Sequence, residues 1–487
     1  MTVQIPNPGT GDGETGDTEY VLWKKTGNSL QFLDEEVKRI EAESVTVTSE
    51  LGNSKSLAVS QKLLTDLMTP ALNNIGIAGD IGFGVGITDN LPPGMREMMG
   101  TTIKGHENYG NYQYSDGSVM CYIPRFYYRW GHISSPNFGK YGANALDVKA
   151  YTAFNSVADA NAAGYALHRA FYDGGQIKQG FFVDKYQCSN NKGTASSIKF
   201  AVPMSTSAAN NPISGLTGTI SNNYAGTIDA AKTRGADFFP TTIFIQKALA
   251  LLSMAHAQAS TNTAVCAWYD STGAANHPKG CNNDALRDTN DTSVQYEEAG
   301  YLNMGKTGSG KLFAKTTHNG QTSGAADLNG NLWEIALGIT VEGDSFYLLS
   351  TTAKASTLSS GSSIASDAWG AAGIARNYEM IGGSYGELTG VSRSFAIGSV
   401  SQAVFTGAKS GINWAMDGAG IPATGGAGGT NIFGNDRFYD NKTNQCCPIV
   451  GGYWNAGSSA GVWSANFSYS RAYGSSSVGF RAALYRV

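Results

Sequence analysis

The sequence predicts an α+β protein that is rich in turns and short strands. Of its 487 residues, 62 are glycine, and these glycines do not follow the three-residue period of collagen. Hydrophobic residues make up 41% of the chain and charged residues only 15%, so a core can form although charges are sparse. Glycine-punctuated stretches such as DIGFGVGI, which begins at Asp80, stand beside short apolar runs such as VMCYIP. This pattern is typical of short strands joined by turns.

The pattern along the chain predicts four regions. Residues 1–30 are rich in Gly, Thr, Asp and Pro, which indicates a flexible leader. Residues 31–78 carry two amphipathic stretches that are too short to be stable alone, LQFLDEEVKRI and SLAVSQKLLTDLMTPALNNI. They predict a short helical stalk that oligomerises, or alternatively a helical arm folded onto the main body. Residues 79–178 are predicted to form a β-rich connecting region, and residues 179–487 a large domain.

Several long loops are predicted within the large domain. Stretches rich in Gly, Ser, Asn and Ala cover 189–236, 354–376 and 406–446. Loops of this length usually carry function or are insertions. The apolar run from Ile243 to Ala255 contains Gln246 and Lys247, so it predicts a packed helix rather than a membrane span.

Composition and charge exclude several function classes. The net charge of -4 lacks the basic footprint of a nucleic-acid-binding protein. The N-terminus has no apolar signal-peptide core, so we expect synthesis in a cytoplasm and no insertion into a membrane. The six cysteines form no C-x-x-C pair and are expected to be buried free thiols, although a Cys266–Cys281 disulfide is an alternative.

Two motifs that suggest an enzyme fail on inspection. GKTGSGKL, from Gly305 to Leu312, has P-loop spacing but places Leu312 where a hydroxyl must bind magnesium. GGSYG, from Gly382 to Gly386, is not followed by a good helix former, as a nucleophile elbow requires. Neither stretch supports catalysis, and the sequence predicts no cofactor and no metal site.

The C-terminal segment has an unusual composition. From Gly451 to Val487 there is no Lys, Asp or Glu, whereas aromatic residues, Ser, Asn and Arg are frequent. This is the composition of an interface core and of antibody loops. Phe467, Tyr469, Arg471 and Tyr473 recur at a period of two, so an extended chain would place them on one face. That face either binds a partner or packs against the domain.

Four separated motifs, taken in order, resemble the C-type-lectin-like fold of the formylglycine-generating-enzyme type. They are GFFVDKYQCSNN, DLNGNLWEI, IGGSY and VGFRAAL, together with a helix at 243–256. The residues of these motifs support a scaffold role by themselves. Trp333 would be buried, Glu334 would accept backbone N–H groups, Gly479 would allow close packing, and Arg481 would satisfy loop carbonyls. The resemblance implies a turn-rich lectin-like domain with long loops.

The enzymatic chemistry of that type does not accompany the resemblance. The oxidase uses a cysteine pair shortly before its final G-F-R, but Ala465 to Ser477 contains no cysteine. The related iron-dependent synthases need a histidine-bearing domain that is missing here. We therefore expect that the protein is not an enzyme.

A narrower resemblance covers the region from Trp454 to Arg481. It is similar to the variable region of phage tropism determinants, and LGNSKSLAVSQKLLTDL and DGSVMCYIPRFYYRWG are similar to parts of phage tail fibres. Carried over by position, the resemblance implies scaffold roles for Trp454, Gly461, Gly479 and Arg481. The receptor-facing candidates that it implies are Tyr453, Asn455, Ser458, Trp463, Asn466, Ser468, Tyr469, Arg471, Tyr473 and Ser475.

These resemblances imply a trimeric phage tail-fibre or tail-tip adhesin. Residues 1–30 would attach to other tail proteins in the virion, and the large domain would bind a host receptor. That receptor would be a surface glycan, a pilus or an outer-membrane protein. Two alternatives remain open. One is a polysaccharide depolymerase, whose acids would come from residues such as Asp184, Glu334 and Asp436. The other is a cellular lectin-like protein that is diversified by a retroelement.

Overall fold

The computed structural model describes residues 72–269, 277–342, 345–360, 377–381, 393–398, 403–423, 431–440 and 445–485. The chain divides into two units, Met1–Thr69 and Pro70–Val487. The predicted leader and almost all of the predicted stalk lie outside the described residues. So do residues 382–385 of the IGGSY motif.

Short strands dominate the described part of the chain, as the glycine-rich composition predicts. In chain order the strands are β1 (Met95–Glu97), β2 (Asn111–Tyr114), β3 (Val119–Pro124), β4 (Phe126–Trp130), β5 (Leu146–Ala150), β6 (Ala166–Leu167), β7 (Tyr172–Asp173), β8 (Gln176–Ile177), β9 (Gly180–Asp184), β10 (Ser189–Asn191), β11 (Thr194–Ser196), β12 (Phe239–Pro240), β13 (Trp333–Ile335), β14 (Ile339–Glu342), β15 (Ser345–Leu349), β16 (Tyr378–Met380), β17 (Arg393–Ala396), β18 (Arg437–Asp440), β19 (Ile449–Val450), β20 (Ala465–Asn466), β21 (Val478–Gly479) and β22 (Ala482–Tyr485).

Helices are fewer and mostly short. In the described residues the α-helices are α1 (Phe138–Tyr141), α2 (Val157–Ala162), α3 (Tyr224–Lys232), α4 (Ile243–Ala259) and α5 (Gly411–Gly418). Single 3-10 turns cover Gly142–Asn144, Tyr151–Ala153, Arg169–Phe171, Ile213–Gly215, Phe313–Thr316, Ala355–Thr357, Asn431–Phe433 and Gly457–Ser459. The protein is thus mixed helix and sheet with sheets predominant, which confirms the coarse α+β prediction.

Two six-stranded sheets form the centre of the described unit. The first has the order β1-β2-β3-β9-β22-β12, and the second has the order β17-β18-β20-β19-β13-β21. Smaller sheets pair β14-β15-β16, β5-β4-β6, β10-β11 and β7-β8. Within the first sheet β3 pairs antiparallel with β9, and Cys121 lies opposite Val183. The predicted connecting region and the predicted large domain therefore share one sheet.

Helix α4 is buried along nearly its whole length. The predicted helix at 243–256 is confirmed and extends to Ala259. Thr242 caps it, because its hydroxyl accepts the Ile245 N–H at 3.2 Å. The helix is mostly apolar and is buried on all sides, which is typical of a helix in the interior of a large protein. In the described residues no helix combines the length and the apolar character that crossing a membrane requires.

Parts of the predicted long loops contain regular structure. The stretch 189–236 holds β10, β11 and α3, and the stretch 406–446 holds α5 and β18. These elements are short, and their polar and glycine residues conceal their periodicity.

The six cysteines are buried free thiols, so the predicted free thiols are confirmed and the Cys266–Cys281 alternative is wrong for this structure.

A buried ion pair joins the two large sheets. The guanidinium of Arg481 donates from Nε to Glu334 Oε2 and from Nη2 to Glu334 Oε1, both at 2.6 Å. It also donates to the carbonyl oxygens of Asp184 at 3.0 Å and Ala326 at 2.7 Å. Arg481 therefore satisfies loop carbonyls as predicted. Burial is the largest single influence and lowers the pKa of Arg481, but the charge and hydrogen bonds of Glu334 together with the charges of Asp327 and Asp184 outweigh it, so the net shift of this pKa is upward.

Side chains rather than backbone groups complete the shell of Glu334. Gln246 of α4 donates to its Oε2 at 2.7 Å, and Gln187 donates to its Oε1 at 3.1 Å. The prediction that Glu334 accepts backbone N–H groups is therefore wrong. Its carboxylate accepts from the side chains of Gln187, Gln246 and Arg481 instead. Gly479 is confirmed as a close-packing position, because a Cβ there would lie 2.5 Å from the Met204 carbonyl oxygen.

We predict that Glu334→Gln lowers the free energy of unfolding by about 3 kcal/mol or more, because it leaves the Arg481 charge buried without a counter-charge. Urea denaturation followed by tryptophan fluorescence measures this loss. The matched control is Glu297→Gln, which breaks the partly exposed Lys306–Glu297 pair at 3.4 Å and is expected to cost less than about 1 kcal/mol. Equal losses in the two variants would contradict the central role of the buried pair.

Candidate functional site

Four half-exposed tyrosines, Tyr439, Tyr453, Tyr469 and Tyr473, form a surface that we call the tyrosine patch. The rings of Tyr469 and Tyr473 are stacked, with centroids 4.0 Å apart and an interplanar angle of 21°. Tyr453 stacks on Trp333 at 6.3 Å and meets the edge of Trp454 at 5.6 Å. Tyr453 therefore rests on the buried ring of Trp333.

The phenol groups of the patch influence one another. The pKa of Tyr469 is raised first by burial and then by Tyr473, Tyr453 and Tyr439. The pKa of Tyr453 is raised by burial, by the carboxylate of Asp284, and by Tyr473 and Tyr439. Both shifts favour the neutral phenol, so Tyr453 and Tyr469 are hydrogen-bond donors and acceptors without charge at neutral pH.

The backbone around residue 470 produces the stacked pair. Tyr469 O accepts the Cys447 N–H at 2.7 Å, and the Arg471 N–H donates to Gln445 O at 2.8 Å. These two bonds form an isolated antiparallel bridge between Cys446 and Ser470, whereas the regular strand β20 ends at Asn466, so the predicted extended segment is only partly present. A turn then follows, in which the Tyr473 N–H donates to Ser470 O at 3.0 Å, and Tyr473 folds back onto Tyr469.

The candidate receptor-facing residues fall into three groups by exposure. Asn455 and Ser458 are exposed. Six candidates are half-exposed: Tyr453, Asn466, Ser468, Tyr469, Tyr473 and Ser475. Trp463 and Arg471 are buried, with 1% and 2% of their surface exposed. Eight of the ten predicted positions are thus accessible to a partner to some degree.

Trp463 belongs to the core, which corrects the prediction that it faces a receptor. Its ring packs against Phe405 at 5.1 Å, Phe433 at 5.6 Å and Trp130 at 6.2 Å. These three partners come from distant parts of the sequence. An indole enclosed by aromatic rings contributes to packing and is not available at the surface.

Arg471 is likewise a core residue rather than a receptor contact. Its guanidinium donates to the hydroxyl of Thr340, and its backbone oxygen accepts the Tyr224 N–H at 3.3 Å. The period-two pattern does not predict this position, because Tyr469 lies two residues from both Arg471 and the fully buried Phe467 and is nevertheless half-exposed. The alternative that this face packs against the domain is correct for Phe467 and Arg471, whereas Tyr469 and Tyr473 reach the surface.

Three buried charged side chains hold the backbone of residues 460–464, and we call Lys247, Lys279 and Asp436 the charged clamp. Lys247 Nζ donates to the carbonyl oxygens of Trp463 at 2.8 Å, Ser464 at 3.2 Å and Val462 at 3.4 Å. Burial lowers the pKa of Lys247 to about 7, although Asp436 opposes the shift.

The other two members of the clamp form an ion pair. Lys279 Nζ lies 2.6 Å from Asp436 Oδ1 and donates to Ala460 O at 2.6 Å. Asp436 Oδ2 accepts the Trp463 N–H at 2.8 Å. A Cβ at Gly461 would lie 1.8 Å from Asp436 Oδ1, so only glycine fits beside the carboxylate. This contact confirms the predicted scaffold role of Gly461, as the bonds to Glu334 and to the Asp184 and Ala326 carbonyls confirm that of Arg481.

The acids named for a depolymerase lie inside the protein. Asp184, Glu334 and Asp436 are each buried and paired with Arg234, Arg481 and Lys279, respectively. A glycosidase needs two carboxyl groups that face a sugar across an open cleft. These three carboxylates serve the scaffold instead.

Sequence reasoning missed Tyr439. It lies on β18, where Phe438 and Asp440 point inward and Tyr439 points outward. Arg437 lies over its ring at 5.7 Å and places a charge at the rim of the patch. The alternation in RFYD is the available signal, but it is only four residues long and lies within a stretch that was interpreted as a loop.

Comparisons with known proteins give a weak similarity to solved structures. No protein-family model and no curated protein match the chain. A solved structure titled "Major Tropism Determinant U1 Variant" is similar, with a TM-score of 0.25 and 11% sequence identity. The similarity covers 76% of this chain and 65% of that one, so the chain spans less than two thirds of that protein. At this TM-score no common fold is established, and the lectin-like fold stays a prediction.

We predict a pH dependence of stability that arises from Lys247. In the unfolded chain this lysine retains its proton up to about pH 10.5, whereas in the folded protein its pKa is about 7. Between these values the unfolded state binds more protons, so folding becomes more favourable as the pH rises. The penalty for burying the charge is complete below pH 7 and is relieved toward pH 10.5.

Urea unfolding of the wild type and of Lys247→Met at several pH values from 6 to 10 tests this prediction. The other titrating groups are common to both proteins and cancel in the difference. The wild type should gain stability relative to the variant as the pH rises, by roughly 1 kcal/mol or more. A difference that does not change with pH would show that Lys247 keeps an ordinary pKa.

Proposed function

We propose that the protein is a phage tail-fibre or tail-tip adhesin that binds a host-surface receptor through the tyrosine patch. The observation that carries this proposal is an uncharged, half-exposed aromatic surface on a rigidly held backbone. The motif resemblance between Trp454 and Arg481 supports the same function. The proposal includes a lectin-like fold, which the GFFVDKYQCSNN, DLNGNLWEI and VGFRAAL motifs support.

The chemistry of the patch suits recognition of another surface. Tyrosine offers a large contact area at a low cost in conformational entropy, and nearby serine and asparagine offer adaptable hydrogen bonds. Asn466 and Ser468 are half-exposed between the buried positions of the same segment. In the described part of the chain, the charged side chains beside the patch are Asp284, which acts on Tyr453, and Arg437, which lies over Tyr439. Aromatic residues at the centre and charges at the rim are typical of protein interfaces, and tyrosine rings also stack on sugars.

Preorganisation increases the binding that such a patch can provide. The stacking of Tyr469 on Tyr473 restricts both rings before a partner arrives, which lowers the entropy lost on binding. One or two aromatic residues at the centre of an interface can each contribute about 2 kcal/mol or more. In a homotrimer, which the stalk prediction implies, three patches would add avidity when receptors are spaced to match.

The remaining parts of the proposal concern partners and location. The chain would lie in the virion tail, with its N-terminal segment attached to other tail proteins, after synthesis in the host cytoplasm. The receptor would be a glycan, a pilus or an outer-membrane protein. Binding would involve no catalysis, no cofactor, no nucleic acid and no insertion into a membrane.

We predict that Tyr469→Ser/Tyr473→Ser reduces the staining of susceptible bacteria by labelled protein at least tenfold, because two aromatic contacts are lost together. Staining of a panel of strains by flow cytometry measures this. Arg471 is left unchanged because it is buried, and its removal would confuse loss of folding with loss of contact.

The matched control is Met99→Ser/Ile133→Ser, which removes two side chains that are 85% and 80% exposed elsewhere on the surface. It should stain as the wild type does. Equal staining by the wild type and by the tyrosine variant would show that the receptor binds outside the tyrosine patch. Loss of capsule when cells are incubated with the wild type would favour a depolymerase instead.

A further inference from the structure

A second surface is formed by two segments that contribute nothing to the tyrosine patch. Phe200 is 50% exposed and Leu312 is 57% exposed. Lys199 connects their two segments, because its Nζ lies 5.3 Å from the ring centre of Phe200 and 4.8 Å from that of Phe313. We call Lys199, Phe200, Lys311, Leu312 and Phe313 the Phe200–Leu312 surface.

The backbone at both exposed apolar residues is in the left-handed region. Phe200 has φ of 62° and Leu312 has φ of 59°. Bulky residues rarely adopt this conformation, whereas glycine and asparagine adopt it more easily. An exposed turn gains no stability from Phe or Leu at such a position, so strain of this kind points to a function for the side chains.

A buried threonine holds the Phe200 turn in place. The Phe200 N–H donates to Thr307 O at 2.7 Å, and the Thr307 N–H donates to Ala201 O at 2.9 Å. The Thr307 hydroxyl donates to Ile198 O at 2.6 Å and accepts the Ala201 N–H at 3.1 Å. The ring of Phe200 is therefore presented by a rigid turn and not by a frayed loop.

The charged members of this surface are both lysines, Lys199 and Lys311. Lys306 and Lys315 are paired with Glu297 and Asp291. Lys199 and Lys311 form no ion pair with an acidic residue in the described part of the chain, and they flank the two apolar side chains. A binding partner that complements this surface carries carboxylates beside apolar side chains.

We propose that the Phe200–Leu312 surface binds an acidic, apolar peptide segment of a partner protein. A polyanionic glycan would match the lysines, and a sugar ring can stack on Phe200, but Leu312 would be left without an apolar partner. The tyrosine patch has the opposite character, because it lacks lysine and its charges lie at the rim. One ligand chemistry therefore does not satisfy both surfaces, and this proposal stands independently of the receptor proposed above.

The test uses the full-length protein and fluorescein-labelled peptides, with fluorescence anisotropy as the measurement. The probe is three repeats of Gly-Glu-Leu-Glu, and its controls are three repeats of Gly-Glu-Ser-Glu and of Gly-Lys-Leu-Lys. We expect the Glu/Leu peptide to bind about tenfold more tightly than either control, and its binding to weaken as salt is raised. Equal binding of the Glu/Leu and Glu/Ser peptides would overturn the apolar part of the proposal.

Two variants distinguish binding from folding. Phe200→Asn/Leu312→Asn suits the left-handed backbone, so it should keep or raise the melting temperature while weakening the Glu/Leu peptide about tenfold. Lys199→Glu/Lys311→Glu should transfer the preference to the Lys/Leu peptide. The proposal is overturned if both variants bind the Glu/Leu peptide as the wild type does.

Two further comparisons complete the design. Tyr469→Ser/Tyr473→Ser should bind the Glu/Leu peptide normally, and a loss there would mean that the two surfaces are one site. Hyaluronan oligosaccharides are the alternative anionic probe. Competition by hyaluronan as effective as that by unlabelled Glu/Leu peptide would assign the lysines to a glycan and overturn the peptide proposal.

Discussion

The ion pair between Glu334 and Arg481 is the constraint on which the rest of the described unit depends. Glu334 lies on β13 of the second large sheet, and Arg481 lies between β21 and β22, which belong to different sheets. Taking two charges out of water is costly unless every donor and acceptor is satisfied. Here the Asp184 and Ala326 carbonyls, Gln187 and Gln246 complete the hydrogen bonds. A shift of one sheet against the other would break several of these bonds together, so the pair specifies their relative register.

The charged clamp applies the same principle to the backbone of residues 460–464. The ammonium groups of Lys247 and Lys279 donate hydrogen bonds to backbone carbonyl oxygens of residues 460–464. Asp436 accepts a backbone N–H from the same stretch. These contacts involve backbone atoms, so they hold the path of the chain irrespective of most side chains along it. The stretch that the clamp holds is itself buried, and along the chain it is followed by β20 and then by Tyr469 and Tyr473 of the tyrosine patch.

The residues that sequence analysis placed correctly are those whose role depends on local chemistry. Gly461 and Gly479 stand where no Cβ fits, Trp333 and Arg481 lie inside motifs, and α4 is long enough to be recognised by its apolar run. Trp463 and Arg471 were misplaced because burial depends on what lies opposite. Their partners Trp130, Phe405 and Thr340 are far away in the sequence, and an aromatic-rich composition describes a receptor surface and an aromatic core equally well. Tyr439 was missed because a four-residue strand gives too short a period to stand out from loop sequence.

The segment from Phe467 to Tyr473 shows how one stretch can serve both the core and the surface. Phe467 and Arg471 are buried, and the residues that follow each of them by two, Tyr469 and Tyr473, are half-exposed and stacked on one another. Each displayed ring is therefore within two residues of a buried side chain, which limits its motion without enclosing it. Because the rings are neutral, contacts made by the patch depend on area and hydrogen bonding and change little with salt. The lysines beside Phe200 and Leu312 give that surface the opposite dependence, so the ionic strength of the medium separates the contributions of the two surfaces.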